Sequence, residues 1–128
     1  MRILVVSDTH GNQHALLQAI NQQPDAKTVF HLGDGAREAV AAIDKHPQRQ
    51  FFTVRGNNDW LSGWLLQDFG LEMIGGKRIF YTHGHRYGVK SGYDRFMAAA
   101  QQQNADIALF GHTHNPEIIY ENGIHMIN

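Results

Sequence analysis

Short apolar runs alternate with amphipathic stretches along the first half of the chain. Ile3-Leu4-Val5-Val6, Thr28-Val29-Phe30-His31-Leu32 and Gln50–Arg55 each read as a strand, and near-continuous apolar runs suit strands covered on both faces. Between them, apolar residues recur at helical spacing: Ala15, Leu16, Ala19 and Ile20, then Ala36, Ala39, Val40 and Ile43 on one face. Gly11-Asn12 offers a turn and helix cap. Pro24-Asp25 ends the first helix, and the second ends near His46-Pro47. The order strand, helix, strand, helix, strand argues for βαβ units and a parallel sheet.

Beyond Asp59 the pattern changes. Trp60, Leu61, Trp64, Leu65 and Phe69 fit one face of a short helix. Leu71–Ile74 and Lys77–Thr82 read as two strands joined by Gly75-Gly76 in a hairpin. Tyr93, Phe96, Met97 and Ala100 mark another amphipathic helix, and Ile107–Phe110 another strand. Glu117–Glu121 and Ile124–Asn128 flank Asn122-Gly123, the strongest short hairpin signal. With no fixed-period repeat and no linker, the 128 residues are expected to form one domain, 1–128.

Composition acts mainly by exclusion. The chain is 42% hydrophobic, too apolar for disorder. Its formal net charge is -1 and no basic run stands out, which argues against extended nucleic-acid binding. With no cysteine, disulfides, thiolate nucleophiles and Cys-type zinc sites are ruled out. The amino-terminal apolar stretch is too short for a signal peptide, and no run approaches a membrane span. A soluble, cytoplasmic protein without membrane association is expected.

Candidate chemistry lies where the runs stop. Five of them end in Asp8/His10, Asp34, Asn57/Asp59, His83/His85 and His112/His114. Ligands of α/β sheets bind beyond the carboxyl ends of strands, so these groups can converge. Asp8 and His10, two apart on an extended segment, are expected to point the same way toward one metal. Gly33, Gly56, Gly84 and Gly111 adjoin the clusters and permit close backbone approach. Any one cluster taken alone reads first as turn chemistry or a helix cap. Five in the same topological place point to a shared metal site. His14 and His46 read as solvated, His31 and His125 as structural, and Asp25 and Asp44 as surface charges.

The ordered set Asp8-x-His10, Gly33-Asp34, Gly56-Asn57, His83 and Gly111-His112-x-His114 resembles the calcineurin-like metallophosphoesterase family, in particular its small prokaryotic phosphodiesterases of the YfcE type. The resemblance implies two packed mixed β-sheets flanked by helices, a four-layer α/β/β/α sandwich, here shortened at the C-terminus. It further implies two metal ions: Asp8, His10 and His114 on one, Asn57, His83 and His112 on the other, and Asp34 bridging. The donor types suit manganese, the expected ion, as well as zinc, iron or nickel. Two carboxylates against two divalent ions leave roughly +2 to attract phosphate. The implied reaction is hydrolysis of a small phosphodiester by a metal-bridging hydroxide, with Asp34 and Asn57 in the catalytic centre.

Two departures from the family pattern stand out. Many relatives carry a histidine where this chain has Asn58, and the resemblance implies that this histidine protonates the leaving group. His85 is the nearest substitute by sequence, set against a reading as a loop histidine bonded to backbone. Arg37, Arg86 and Lys90 lie near motif loops and read as surface charge. Relatives also commonly continue past the position of Asn128. The short end leaves room for a homo-oligomer covering an open sheet edge. Two rivals remain. A haloacid-dehalogenase-like phosphatase needs a second Asp where His10 stands. A catalytically inactive scaffold of the same fold, like the retromer subunit, would be favoured by missing ligands, and none of the seven is missing.

Overall fold

The structure, a computed structural model, describes residues 1–59 and 66–128. The elements run β1 (Arg2–Val6), α1 (Gln13–Asn21), β2 (Ala26–His31), α2 (Ala36–Lys45), β3 (Gln50–Thr53), β4 (Phe69–Ile74), β5 (Lys77–Thr82), α3 (Asp94–Gln102), β6 (Ile107–Leu109), β7 (Ile118–Glu121) and β8 (Ile124–Ile127). A 3-10 turn, His85–Tyr87, follows β5. Asn12 caps α1 by accepting the Ala15 amide proton.

Two sheets form. One has the order β1-β2-β3 and is parallel throughout. The other has the order β4-β5-β6-β8-β7, with β5, β6 and β8 parallel and the edge strands β4 and β7 antiparallel. Both hairpins turn through left-handed residues, Gly75-Gly76 and Asn122-Gly123, which is the chemistry a two-residue hairpin loop demands.

Alternation along the strands builds the layers. Ile3, Val5, Phe30, Leu32 and Phe52 pack between the sheets against Ile79, Tyr81 and Leu109. Leu4, Val6 and Phe51 turn the other way, onto Leu16, Ile20 and Ala42 of α1 and α2. On the far side Phe80, Ala108, Phe110 and Met126 cover Phe96, Met97 and Ala100 of α3. The result is the expected sandwich: helices, sheet, sheet, helix.

Two expectations need correction. α2 buries Ala36, Glu38, Ala39 and Ala42, while Val40 and Ile43 are 54% and 38% exposed. Alanines at this interface let the helix lie close to its sheet, and Glu38 turns inward because it has buried partners. Phe69 lies at the start of β4, paired with Thr82, rather than in a helix. Trp60, Leu61, Trp64 and Leu65, the rest of that expected helix, fall outside the described residues.

Candidate metal centre

Asp8 and His10 do not project from an extended strand. β1 stops at Val6, and both residues are left-handed, with φ of 56° and 45°. Their common direction comes from this loop, with Thr9 turned away between them. Asp34, His112 and His114 share the conformation, so five of the seven non-glycine residues with positive φ in the described chain belong to the candidate set. Asp and His tolerate this region better than most, yet each such residue costs roughly 1–2 kcal/mol. The loops are held by backbone bonds: Asp8 N–H to Gly33 O and His10 N–H to Asp34 O, both 2.9 Å, and Gly111 N–H to His83 O at 3.0 Å.

The side chains of all seven candidate residues converge. His114 Nε2 lies 3.1 Å from Asp8 Oδ1 and 3.4 Å from His10 Nε2. His83 Nε2 lies 2.9 Å from Asn57 Oδ1 and 3.2 Å from His112 Nδ1. Asp34 Oδ2 stands between the groups, 3.8 Å from His10 Nε2 and 3.4 Å from His83 Nε2. Asp8, His10 and His114 thus form one cluster able to hold a cation, and Asp34, His83 and His112 a second.

The hydrogen-bond pattern fits cations. His83 is fully buried, and its Nδ1–H donates to Leu32 O at 2.7 Å. With that proton on Nδ1, the neutral tautomer turns its Nε2 lone pair toward the Asn57 carbonyl oxygen, His112 Nδ1 and the Asp34 carboxylate. Several acceptors turned on one another are unfavourable without a positive centre among them, and imidazole, amide and carboxylate donors suit a borderline divalent ion. Asp8 is held in its ionised form. Burial raises its pKa, but hydrogen bonds from the Ser7 hydroxyl and the His112 amide lead the influences that outweigh it, and the net shift is downward.

Behind these donors stand carboxylates whose part was not legible in sequence. Asp59 is buried and accepts four backbone N–H groups, from Asp34, Gly35, Ala36 and Gly56, at 2.8–3.1 Å. It caps α2 from another loop and ties the β2 and β3 ends together. Glu38, also buried, accepts the Thr9 hydroxyl and the Gly11 amide. Neither reading follows from spacing, since every partner except Gly56 lies more than twenty residues away. Asn58 donates its backbone N–H and its Nδ2–H to the two oxygens of Asp34, at 2.8 and 2.9 Å. A Cβ at Gly56 would overlap that carboxylate, so glycine is required there.

The remaining candidates sit around this centre. His85 opens the 3-10 turn, with ring centroids 5.3 Å from His83 and 6.1 Å from His112. Among the described residues its buried Nδ1 has no partner. Burial, reinforced by the charge of Arg86, lowers its pKa. Arg86 pairs with Asp68, which also holds Arg55. Lys90 is exposed, and Arg37 borders a cleft of about 290 Å³ beside His10, Asp34 and Asn58. His31 is a buried core residue, His14 is exposed, His46 is half-buried, and His125 is exposed beneath Tyr120 on β7.

Residues 1–128 match the calcineurin-like phosphoesterase superfamily domain from end to end. The chain belongs to that family. The probable metallophosphoesterase YsnB of Bacillus subtilis is 32% identical over 117 residues, covering 89% of this chain and 64% of YsnB. The chain thus spans less than two thirds of that relative's length. A solved archaeal phosphodiesterase superposes with TM-score 0.76 at 27% identity, over 100% of this chain and 82% of its own. A Vps29 from Entamoeba histolytica superposes with TM-score 0.82 at 25% identity, over 100% of this chain and 73% of its own.

Proposed function

We propose that the chain is a phosphodiesterase that binds two divalent cations, with manganese the expected ion and zinc, iron or nickel alternatives. The observation that carries this reading is the meeting of seven donors from five strand ends, in two clusters with Asp34 Oδ2 within 4 Å of a histidine of each. Asp8, His10 and His114 would hold one ion, and Asn57, His83 and His112 the other. When bound, such a pair lowers the pKa of water and offsets charge on the phosphoryl oxygens.

The protein's own groups define the rest. Asp34 is oriented by Asn58 and by Asp59 through its backbone, so its second oxygen faces both clusters. Asn57 contributes a neutral oxygen and leaves the site net positive toward an anionic diester. The hydroxyls adjoining the ligands in sequence are committed, Ser7 to Asp8, Thr9 to Glu38 and Thr113 to Asn115 O, which favours direct attack by water over a covalent serine or threonine intermediate. Asp8 as nucleophile is disfavoured too, because both its oxygens are engaged, by Ser7, His112 and His114. His85 is proposed to meet the leaving oxygen, in place of the acid that Asn58 cannot supply. We read residues 1–128 as one working unit. Among the described residues no helix is long and apolar enough to cross a membrane, in keeping with the proposed cytoplasmic location.

Hydrolysis of bis-p-nitrophenyl phosphate by the purified chain, stimulated by manganese and abolished by chelation, tests the proposal. Asp34→Ala should remove turnover and at least one bound metal. Undiminished metal-dependent turnover in that variant would overturn the assignment. Metal binding by the wild type without turnover of any diester in a panel would favour the scaffold reading, with which Asn58 is in keeping.

A further inference from the structure

Glu38 is a carboxylate with only 8% of its surface exposed, and among the described residues it forms no ion pair. A buried charge must be repaid by hydrogen bonds. Its Oε2 accepts the Thr9 hydroxyl at 2.8 Å and the Gly11 amide at 2.9 Å. These two donors flank His10 on either side. Thr9 Oγ1 in turn lies 3.1 Å from His31 Nε2, and His31 Nδ1 accepts the Gly33 amide at 3.3 Å. That last bond makes Nδ1 the acceptor, so Nε2 carries the proton and donates to Thr9. The polarity runs one way, from His31 to Thr9 to Glu38, and ties the loop after β1 to α2 and to the residue before Asp34.

We propose that Glu38 is the positioning residue for the Asp8–His10 half of the centre, acting through Thr9 and Gly11. The inference rests on the reading that Asp8, His10 and His114 hold one ion. Asp8 and His10 occupy strained left-handed conformations on either side of Thr9, and strain of this kind persists only where the surroundings fix it. Thr9 is the residue whose side chain points away from the cluster, so it is the handle by which the loop is held. Space enforces the arrangement. A Cβ at Gly35 would run into Thr9 Oγ1 and stand 2.8 Å from Glu38 Oε2. The other half of the centre is held differently, with His83 fixed by Leu32 O and Gly56 by Asp59. Losing Glu38 should therefore affect one cation and spare the other.

Manganese titration of the wild-type chain, followed by calorimetry and by electron paramagnetic resonance, provides the test. The variants are E38A, E38Q, T9V and T9S. E38A and T9V should each weaken one of two binding steps by about tenfold or more and leave the other within about twofold. E38Q and T9S keep an acceptor and a hydroxyl in place and should restore the weakened step. Should E38A prove too unstable to purify, T9V preserves side-chain shape and carries the same test. Two unaltered binding steps in T9V, or both steps weakened alike, would overturn the positioning role and leave Glu38 a purely structural residue. Fewer than two manganese ions on the wild type would instead overturn the two-cation reading, and the positioning role with it.

Discussion

The backbone amide of His112 donates to Oδ2 of Asp8 at 3.0 Å, joining residues 104 positions apart. The approach depends on Gly111. A Cβ there would lie 2.6 Å from Ser7 Oγ and 2.8 Å from Asp8 Oδ2. Gly111→Ala must push the two loops apart, at a cost of about 1–3 kcal/mol. The variant should unfold at lower denaturant and bind manganese more weakly. Wild-type values for both would mean the loops do not meet as described.

His85 offers a prediction about leaving groups. Its ring lies beside those of His83 and His112, and burial holds its pKa below the usual imidazole value. At neutral pH it is mostly uncharged, so help from its proton matters most for a poor leaving group and toward acid pH. His85→Ala should slow an alkyl diester by about 10²-fold or more, and slow a p-nitrophenyl diester much less. Equal slowing of the two would remove the acid role.

Asp59 serves four backbone donors at once. Asp59→Ala would leave them without an acceptor in a buried place, and each such group costs about 1–3 kcal/mol when no water replaces the bond. We expect a loss of about 3 kcal/mol or more, read from urea unfolding, and a poorly populated cation pair. Asp59→Asn keeps one oxygen and should fall between. A change under about 0.5 kcal/mol in the alanine variant would show that the carboxylate does not cap α2.

The strand ends were legible because both signals, apolar runs and the polar residues that stop them, are local. Phe30, Phe80 and Leu109 announce their strands, and His83 and His112 mark where those strands end. The rest depends on contacts that spacing does not encode. Val40 and Ile43 look like the inner face of α2, yet alanines and Glu38 take that place because Glu38 has partners on another loop. Asp8 and His10 look like neighbours on a strand, but their alignment comes from left-handed backbone. Asp59 reads as one more turn residue until its four donors are seen. Residue types that favour the left-handed region, Asp and His among them, were the one sequence clue to this strain.

Acid should reach the fold through His31. Burial, the largest influence, pushes its pKa below 6.5, against the opposing pull of Asp59, Glu38 and Asp8. The folded state therefore resists the proton that the unfolded chain accepts. The stability contributed by neutral His31 is fully present above about pH 6.5 and is lost as pH falls below it toward the lowered folded value. Glutamine at this position does not titrate and can still bond to Thr9 and Gly33. Melting temperatures of the chelated wild type and of His31→Gln, taken from pH 8 to pH 5, should diverge in one direction. The wild type's advantage should be constant above about pH 7 and shrink steadily below pH 6.5. An advantage that grows toward acid would mean His31 is protonated in the folded protein, and the one-way chain from His31 to Glu38 would have to be redrawn.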